Sequence, residues 1–540
     1  MRRMSVNIPL PENEPVQHHA PGSPERAELE PVLAAIAAEA MEIPMIIGGK
    51  PVHSSPDIEV VMPHRHAHVL ARAHEASAEH VGQAIDAAMA AAPAWAATPF
   101  EDRAAIFLRA AELLCTTWRR RIDAVTMLGQ SKTVYQAEID AVCELADFWR
   151  FNVAFLEEIL SEQPISPPGV WNRIDHRPLE GFVLAISPFN FLSICANLPT
   201  APILCGNVAL WKPSNTSLRG CWEIMELLRE AGLPDGVLGF LPGAGPVQGA
   251  AALDSEHLAG VHFTGSTATF NTLYRGVADR LDRYRTYPRL VGETGGKDFI
   301  VAHQSADPAA LSTAITRGAF EYQGQKCSAA SRVYVPESLW AEVKPRVVAD
   351  LEAIEFGDVT DFRVFGGAVI DERAFDKIEG FIQYARESDA EVIGGACDKS
   401  QGYFIQPTIV ETRDPDYRLL KEEIFGPVVT VYPYADSVPF EEVLALVDRT
   451  SPYGLTGAVF ANDRRAVRKA LDGLRNAAGN FYINDKPTGA VVCQQPFGGA
   501  RRSGTNDKAG FKYNLLRWLS PRSIKETLAP PYDFRYPSMG

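Results

Sequence analysis

VALWKPSNTSLRGCWEIMELLREAGLPDGVLGFL, residues 208–241, decides the fold. Val208-Ala209-Leu210-Trp211 is a short apolar strand. Thr216 to Ala231 keeps apolar residues at helical spacing, and Gly232 with Pro234 stops that helix. Val237 to Leu241 reads as the next strand. Outward from there come a helix over 246–253, a strand at Gly260-Val261-His262-Phe263 and a helix opening at Ser266. Strands separated by helices of this length predict a parallel, doubly wound α/β sheet. Upstream, Trp171 to His176 and Gly181 to Ile186 read as strands. The alternation restarts from 307: strand Arg332 to Val335, helices over 337–354 and 371–387, strands near 391 and 428, and a helix over 439–449. Two α/β lobes account for this pattern. Ahead of them, helices are expected over 75–97, 101–128 and 136–160; Asp140, Glu144 and Asp147 share one face of the third, which reads as solvated. Residues 1–30 are Pro-rich and polar, an arm that lies on another surface or is disordered.

Composition narrows the function. With 540 residues and 46% apolar content the chain can form two or three packed domains. A net charge of -15 argues against a nucleic-acid partner. The eight cysteines contain neither a C-x-x-C pair nor a zinc spacing, so no metal is expected and the thiols read as reduced. No apolar run reaches the length of a membrane span. Arg2 and Arg3 are followed by Pro9, Pro11, Glu12 and Glu14, which speaks against export; Glu25, Glu28 and Glu30 speak against a mitochondrial presequence. A cytoplasmic location is the expectation.

Chemistry concentrates in a few short stretches. Cys327, within Glu321-Tyr322-Gln323-Gly324-Gln325-Lys326-Cys327-Ser328-Ala329, has a lysine and small residues beside it, as a reactive thiolate needs; its other reading is a small buried hydrophobe. Glu293, in Gly292-Glu293-Thr294-Gly295-Gly296-Lys297, is a candidate base whose confinement would raise its pKa, or else a loop glutamate paired with Lys297. Asn190 offers an amide donor for an oxyanion, or a turn. Phe263-Thr264-Gly265-Ser266 ends a strand and caps a helix that could face a phosphate, and Lys212 ends a strand within reach of ribose or phosphate.

In this order the stretches resemble the aldehyde dehydrogenase superfamily from about residue 45 to 520: P-F-N at 188–190, W-K-P-S at 211–214, F-T-G-S at 263–266, E-T-G-G-K at 293–297, G-Q-K-C at 324–327, E-E-I-F-G-P at 422–427 and P-F-G-G at 496–499. The resemblance implies an aldehyde dehydrogenase-like α/β fold: two doubly wound domains and a small β oligomerisation hairpin. It divides the chain into an arm (1–30), an NAD-binding domain (31–164 and 181–295), a catalytic domain (296–500) and oligomerisation segments (165–180 and 508–540). It implies that Cys327 is the nucleophile, Glu293 the base and Asn190 an oxyanion donor. Ser187, Lys212, Gly265, Ser266, Glu423 and Phe425 would bind NAD. Asn215 stands where many NAD-preferring members carry glutamate, so exclusion of NADP is less firm than NAD use.

Phe320 to Ala329, Asn480 to Lys486 and Pro496 to Asp507 are further similar to the 1-pyrroline-5-carboxylate dehydrogenase branch, whose substrate is L-glutamate γ-semialdehyde. There Gly489, Ala490 and Ser328 would hold the α-carboxylate, Phe497 the methylene chain and Glu144 the ammonium. Ala490 replaces a serine common in relatives. The resemblance also implies a homodimer or higher homo-oligomer, no nucleic-acid or membrane partner, and a separate proline dehydrogenase as a possible partner, since this length leaves no room for a fused barrel. The alternative is an NAD(P)-dependent aldehyde dehydrogenase acting on another small aldehyde.

Overall fold

Two seven-stranded sheets carry the chain in the computed structural model, which describes residues 8–540. The opening Arg2-Arg3 pair lies outside the described residues. In the first sheet the order is Arg289–Glu293, Leu258–Thr264, Phe182–Ile186, Val208–Lys212, Leu238–Phe240, Met45–Ile47, Lys50–Val52. The first five are parallel and the last two an antiparallel edge. After that edge the chain re-enters in the middle at Phe182–Ile186, winds to one side, and crosses back to Leu258–Thr264. Ligands of such sheets sit at that switch point, beyond the carboxyl ends of the strands. Register aligns those ends: Ile186 faces both Phe263 and Lys212, and Thr264 faces Glu293. Inside the sheet Trp211 is fully buried, its ring edge-on to Phe240 at 5.4 Å.

The second sheet runs Glu391–Gly394, Thr408–Glu411, Val428–Tyr434, Ala330–Pro336, Asp298–Ala302, Thr456–Phe460, Asn480–Ile483, parallel except at its first strand. Here the chemistry-bearing stretches precede the strands. Gly296 and Lys297 lead into Asp298, and Cys327 stands three residues before Ala330. Asn190, beyond the carboxyl end of Phe182–Ile186, donates to the Gln325 carbonyl ahead of Ala330–Pro336, so the carboxyl edge of one sheet faces the amino edge of the other.

Several expectations change. The helix expected over 101–128 is two, Phe100–Cys115 and Arg119–Gln130, because Thr116 and Thr117 turn their hydroxyls back onto the Glu112 and Leu113 carbonyls. The stretch 136–160 contains a π-helical turn, Glu138–Glu144, before the α-helix Leu145–Ser161. Its acids are not solvated. Asp140 is buried, pairs with Lys132 and accepts from the Leu192 and Ser193 amides, while Asp147 accepts from Asn13 and the Glu14 amide. The helix Leu192–Leu204, with Pro199 and Pro202 inside it, is not among the expected elements.

The arm is corrected too. Its boundary at 30 falls inside the helix Pro24–Ala38, and residues ahead of that helix are stitched to the body. Glu14 bridges Arg119 and Arg150, each at 2.7 Å, and Asn13 donates to Asp147 and the Val492 carbonyl. Val170–Pro178 and Leu519–Thr527 pair antiparallel over nine residues as a ribbon separate from both sheets. A lone two-stranded ribbon is marginal in water.

Candidate active site

Cys327 is half-buried and shares a cleft with Gly296, Lys326, Glu423 and Phe425. The turn before it is unusual. Tyr322 and Gln323 have φ of 49° and 54°, a left-handed conformation that costs energy for residues with a Cβ, and Gly324 follows at 64°. Only glycine fits there, since an added Cβ would meet the Gly426 carbonyl oxygen at 2.2 Å. Side chains hold the strained turn. Gln323 Nε2 donates to the Ser131 and Ala368 carbonyls, and Gln325 Oε1 accepts from the Ile370 amide. Lys132 Nζ lies 4.4 Å from the Tyr322 and Phe191 ring centres.

Asn190 Nδ2 donates to the Gln325 carbonyl at 3.0 Å, which ties the end of the first sheet to the turn carrying the sulfur. An amide has a second N–H, still available to a ligand. Lys326 does not supply the positive charge expected beside Cys327. It is buried and paired with Glu321 at 3.3 Å. Burial, with Asp298, Glu293 and Glu423 nearby, instead pushes the Cys327 thiol well above its ordinary range.

Glu293 is the last residue of a strand rather than a loop glutamate, and Lys297 is not its partner: Lys297 Nζ donates to Ser331 Oγ at 2.6 Å. Burial raises the Glu293 carboxyl well above the usual carboxylate range, partly offset by the Gly499 amide and Lys508. Its Oε2 is buried with no hydrogen-bond partner among the described residues. The segment after 496 wraps it: Thr294 N donates to the Ser503 carbonyl, Glu293 bridges Gly504, and Lys508 Nζ donates to the Gly479 and Gly498 carbonyls. The sequence reading passed over Lys508, although the family-like stretch Pro496 to Asp507 ends one residue short of it.

At the switch point Ser187 is buried and its Oγ accepts from Trp211 Nε1 at 2.9 Å, leaving its own proton to donate. Lys212 makes no ion pair among the described residues, and burial lowers its ammonium to about 8. A poorly solvated cation beside free hydroxyl chemistry suits ribose oxygens. Gly265 N donates to the Glu293 carbonyl, and Ser266 caps the helix Thr267–Ala278 by accepting from Thr269 N at 3.1 Å. Asn215 Oδ1 accepts from the Gly243 amide. Glu423 Oε1 accepts from Gly296 N at 2.9 Å; Phe425, at φ 63°, packs edge-on to Phe189 at 5.8 Å. These groups fit a dinucleotide lying from the switch point into the cleft.

On the far side, Ser328 is buried and its hydroxyl lies 2.8 Å from Thr488 Oγ1, joining the sulfur turn to the loop of Gly489 and Ala490. Gly489 has φ 94°, and a Cβ there would meet Lys486 Nζ at 3.3 Å, so a lysine stands beside this loop. Phe497 exchanges backbone bonds with Ala509. Glu144 accepts from Ser193 Oγ at 2.8 Å, and burial beside Asp140 raises it to about 8. No hydrogen bond or ion pair among the described residues links it to Ser328 or Gly489.

Gly296 is the tightest packing point. A Cβ there would lie 2.1 Å from the Cys327 carbonyl oxygen and 2.3 Å from Asp298 Oδ2. Gly296→Ala is therefore expected to displace the sulfur and lower kcat about 10²-fold, measured by steady-state turnover beside a circular dichroism spectrum that stays folded. Unchanged turnover would contradict this packing.

Comparison with known proteins adds to this geometry. The aldehyde dehydrogenase family matches residues 51–524. Delta-1-pyrroline-5-carboxylate dehydrogenase, mitochondrial, of Dictyostelium discoideum is 50% identical over 539 residues, 99% of this chain and 96% of that one. The Homo sapiens protein of the same name is 50% identical over 530 residues, 98% and 94%. A crystal structure of the Mycobacterium tuberculosis delta-pyrroline-5-carboxylate dehydrogenase bound with NAD superposes with a TM-score of 0.96 at 53% identity, covering 100% of both chains. The cytoplasmic expectation is overturned, because the Dictyostelium and human relatives are named mitochondrial. The case against a presequence rested on Glu25, Glu28 and Glu30, which lie in the helix Pro24–Ala38, where Glu28 pairs with Arg120 of the folded body and Glu30 with Arg26.

Proposed function

This chain belongs to the aldehyde dehydrogenase family, and from that premise we propose that it oxidises L-glutamate γ-semialdehyde, the open form of 1-pyrroline-5-carboxylate, to L-glutamate with NAD in proline breakdown. The observation that carries this reading is the meeting of Cys327, Glu293 and Asn190 where the two sheet edges face each other, with the Ser328–Thr488 contact closing the far side.

Cys327 Sγ, once deprotonated, attacks the aldehyde carbon. The free N–H of Asn190 and the backbone N–H of Cys327 stabilise the oxyanion that forms. Ser187, Lys212, Gly265, Ser266, Glu423 and Phe425 would hold NAD, which supplies the hydride acceptor when bound. Sulfur then carries the acyl group as a thioester. Glu293 takes a proton from water, the resulting hydroxide attacks the thioester carbon, and the C–S bond breaks to release carboxylate and restore the thiol.

Head-group recognition falls to the opposite wall. Backbone N–H groups of Gly489 and Ala490 with the Ser328 hydroxyl take the α-carboxylate, and Phe497 covers the methylenes. Lys486 adds a cation beside that loop. Glu144 is the ammonium partner in this reading: a carboxyl raised to about 8 ionises more readily once a cation arrives. The cofactor lobe takes in the whole helix Pro24–Ala38 and runs to 164, resuming over 181–295, and 296–500 forms the catalytic lobe. The ribbon of Val170–Pro178 and Leu519–Thr527 gives a homodimer or higher homo-oligomer its contact, since it gains stability by adding to a second copy. A separate proline-oxidising enzyme would supply the substrate.

The test is NADH production across aldehydes with and without an α-amino-acid head group. L-Glutamate γ-semialdehyde should exceed a plain aldehyde of equal chain length about 10²-fold or more in kcat/KM. Equal values would sink the substrate assignment while leaving the aldehyde chemistry intact.

A further inference from the structure

Away from the cleft, Glu42, His53 and His74 turn a carboxylate oxygen and two imidazole nitrogens toward one another, all within 4.8 Å. They come from three elements. Glu42 lies on the strand Met41–Ile43, His74 directly follows Arg65–Ala73, its parallel neighbour, and His53 follows the edge strand Lys50–Val52 of the first sheet. His74 is 3% exposed, whereas Glu42 and His53 are exposed.

The hydrogen bonds of His74 set its ring. Nδ1 faces Ser54, with the carbonyl oxygen at 2.7 Å and the amide nitrogen at 2.9 Å. One nitrogen cannot serve both: accepting from the Ser54 amide leaves the ring proton on Nε2, whereas donating to the Ser54 carbonyl leaves Nε2 bare, and a cation at Nε2 selects the second tautomer. In that second tautomer Nε2 presents a bare lone pair to His53 Nδ1 at 3.1 Å and to Glu42 Oε1 at 3.3 Å. A lone pair against a carboxylate oxygen is repulsive unless something positive lies between them. A proton on Nε2 points along one direction, while a cation serves all three groups. In a tetrahedral site with metal–ligand bonds of about 2.0–2.2 Å, neighbouring ligand atoms are about 3.3 Å apart, close to the two separations here. A histidine whose other nitrogen donates to a backbone carbonyl is also how metal-bound imidazoles are oriented.

We propose that Glu42, His53 and His74 bind one divalent transition-metal cation of the zinc class, with water as the fourth ligand. Two imidazoles and a carboxylate favour such an ion over magnesium or calcium. It would act as a staple. Ser54 Oγ donates to the Glu75 carbonyl, and Glu75 Oε1 accepts from Ala244 N, so the cation would pin the sheet edge to the turn near Lys212. Sequence spacing hides this site because its ligands are scattered over separate strands.

Tag-free, chelator-stripped full-length protein titrated with cobalt(II) tests it. Saturation at about one equivalent per chain, with visible bands of tetrahedral nitrogen–oxygen coordination and a raised thermal midpoint, is expected. His53→Ala and Glu42→Gln alter exposed side chains; each should weaken cobalt binding about tenfold or more and leave dehydrogenase turnover unchanged. Absence of a saturable spectrum, equal binding by the double variant, or a near-ultraviolet sulfur-to-cobalt band would each overturn the proposal.

Discussion

Cys327→Ala is expected to lower kcat on the order of 10⁶-fold, as loss of a sole nucleophile does, with no burst of NADH in stopped flow. Cofactor affinity, read by fluorescence titration, should stay within a few-fold, because Lys212, Ser187 and the Ser266 cap stand on other elements. No second thiol lines the cleft among the described residues; Cys195 is buried and donates to the Pro188 carbonyl. A substantial burst from the alanine variant would end the assignment. In the native protein the burst rate should climb as pH rises from neutral, since burial and three carboxyls hold the thiol up and only the thiolate attacks. A rate independent of pH would mean that the thiol is already ionised, contrary to its surroundings.

Glu293→Gln should keep the burst and lose the hydrolysis that clears the sulfur. Turnover falls about 10²–10⁴-fold, the range of a general base, and the acyl group stays on Cys327, visible as added mass in the intact protein. Wild-type turnover would remove Glu293 from the mechanism. Its ionisation gives a second readout. The base must be deprotonated, and burial raises its folded pKa, so hydrolysis quickens with rising pH in the native protein and loses that dependence in the glutamine variant. The linked stability has the opposite sense. An acid whose pKa is raised on folding stabilises the fold fully below its unfolded pKa and loses that contribution as pH climbs through the raised value. Thermal midpoints of the variant should therefore fall less steeply toward alkaline pH than those of the native chain.

Much of this was legible without coordinates. The alternation from 208 to 266 predicts a parallel sheet because a parallel neighbour needs a crossover helix, and Val208–Lys212, Leu218–Ala231, Leu238–Phe240 and Leu258–Thr264 are those elements. The reading failed where local signals mislead. The helix Leu192–Leu204 went unread; it holds Pro199 and Pro202, and the Leu198 carbonyl that Pro202 leaves without an amide lies 2.7 Å from His262 Nδ1. The rival reading of Glu293 as a loop residue paired with Lys297 fails because Glu293 ends a strand, whereas the close packing read from its glycines holds at Gly292, where the Phe270 ring lies 2.4 Å from where a Cβ would be. Acids at 140 and 147 read as a solvated face because composition cannot say what the opposite wall offers. It offers Lys132, Ser193 and the amides of two distant segments.

The amino-acid order by itself determined the fold class and the branch resemblance and singled out Cys327 as the candidate nucleophile, since periodicity and short-range turn chemistry are properties of neighbours along the chain. Which edges face each other was settled only by tertiary structure: the carboxyl edge of one sheet against the amino edge of the other, with Asn190 reaching 135 residues ahead to Gln325. So was the electrostatic setting of Cys327. Lys326, adjacent in sequence, turns to Glu321, while Glu293, Asp298 and Glu423 are brought in by folding. The reason is that ionisation depends on distance and desolvation in space, and these are fixed by packing between residues far apart in the chain.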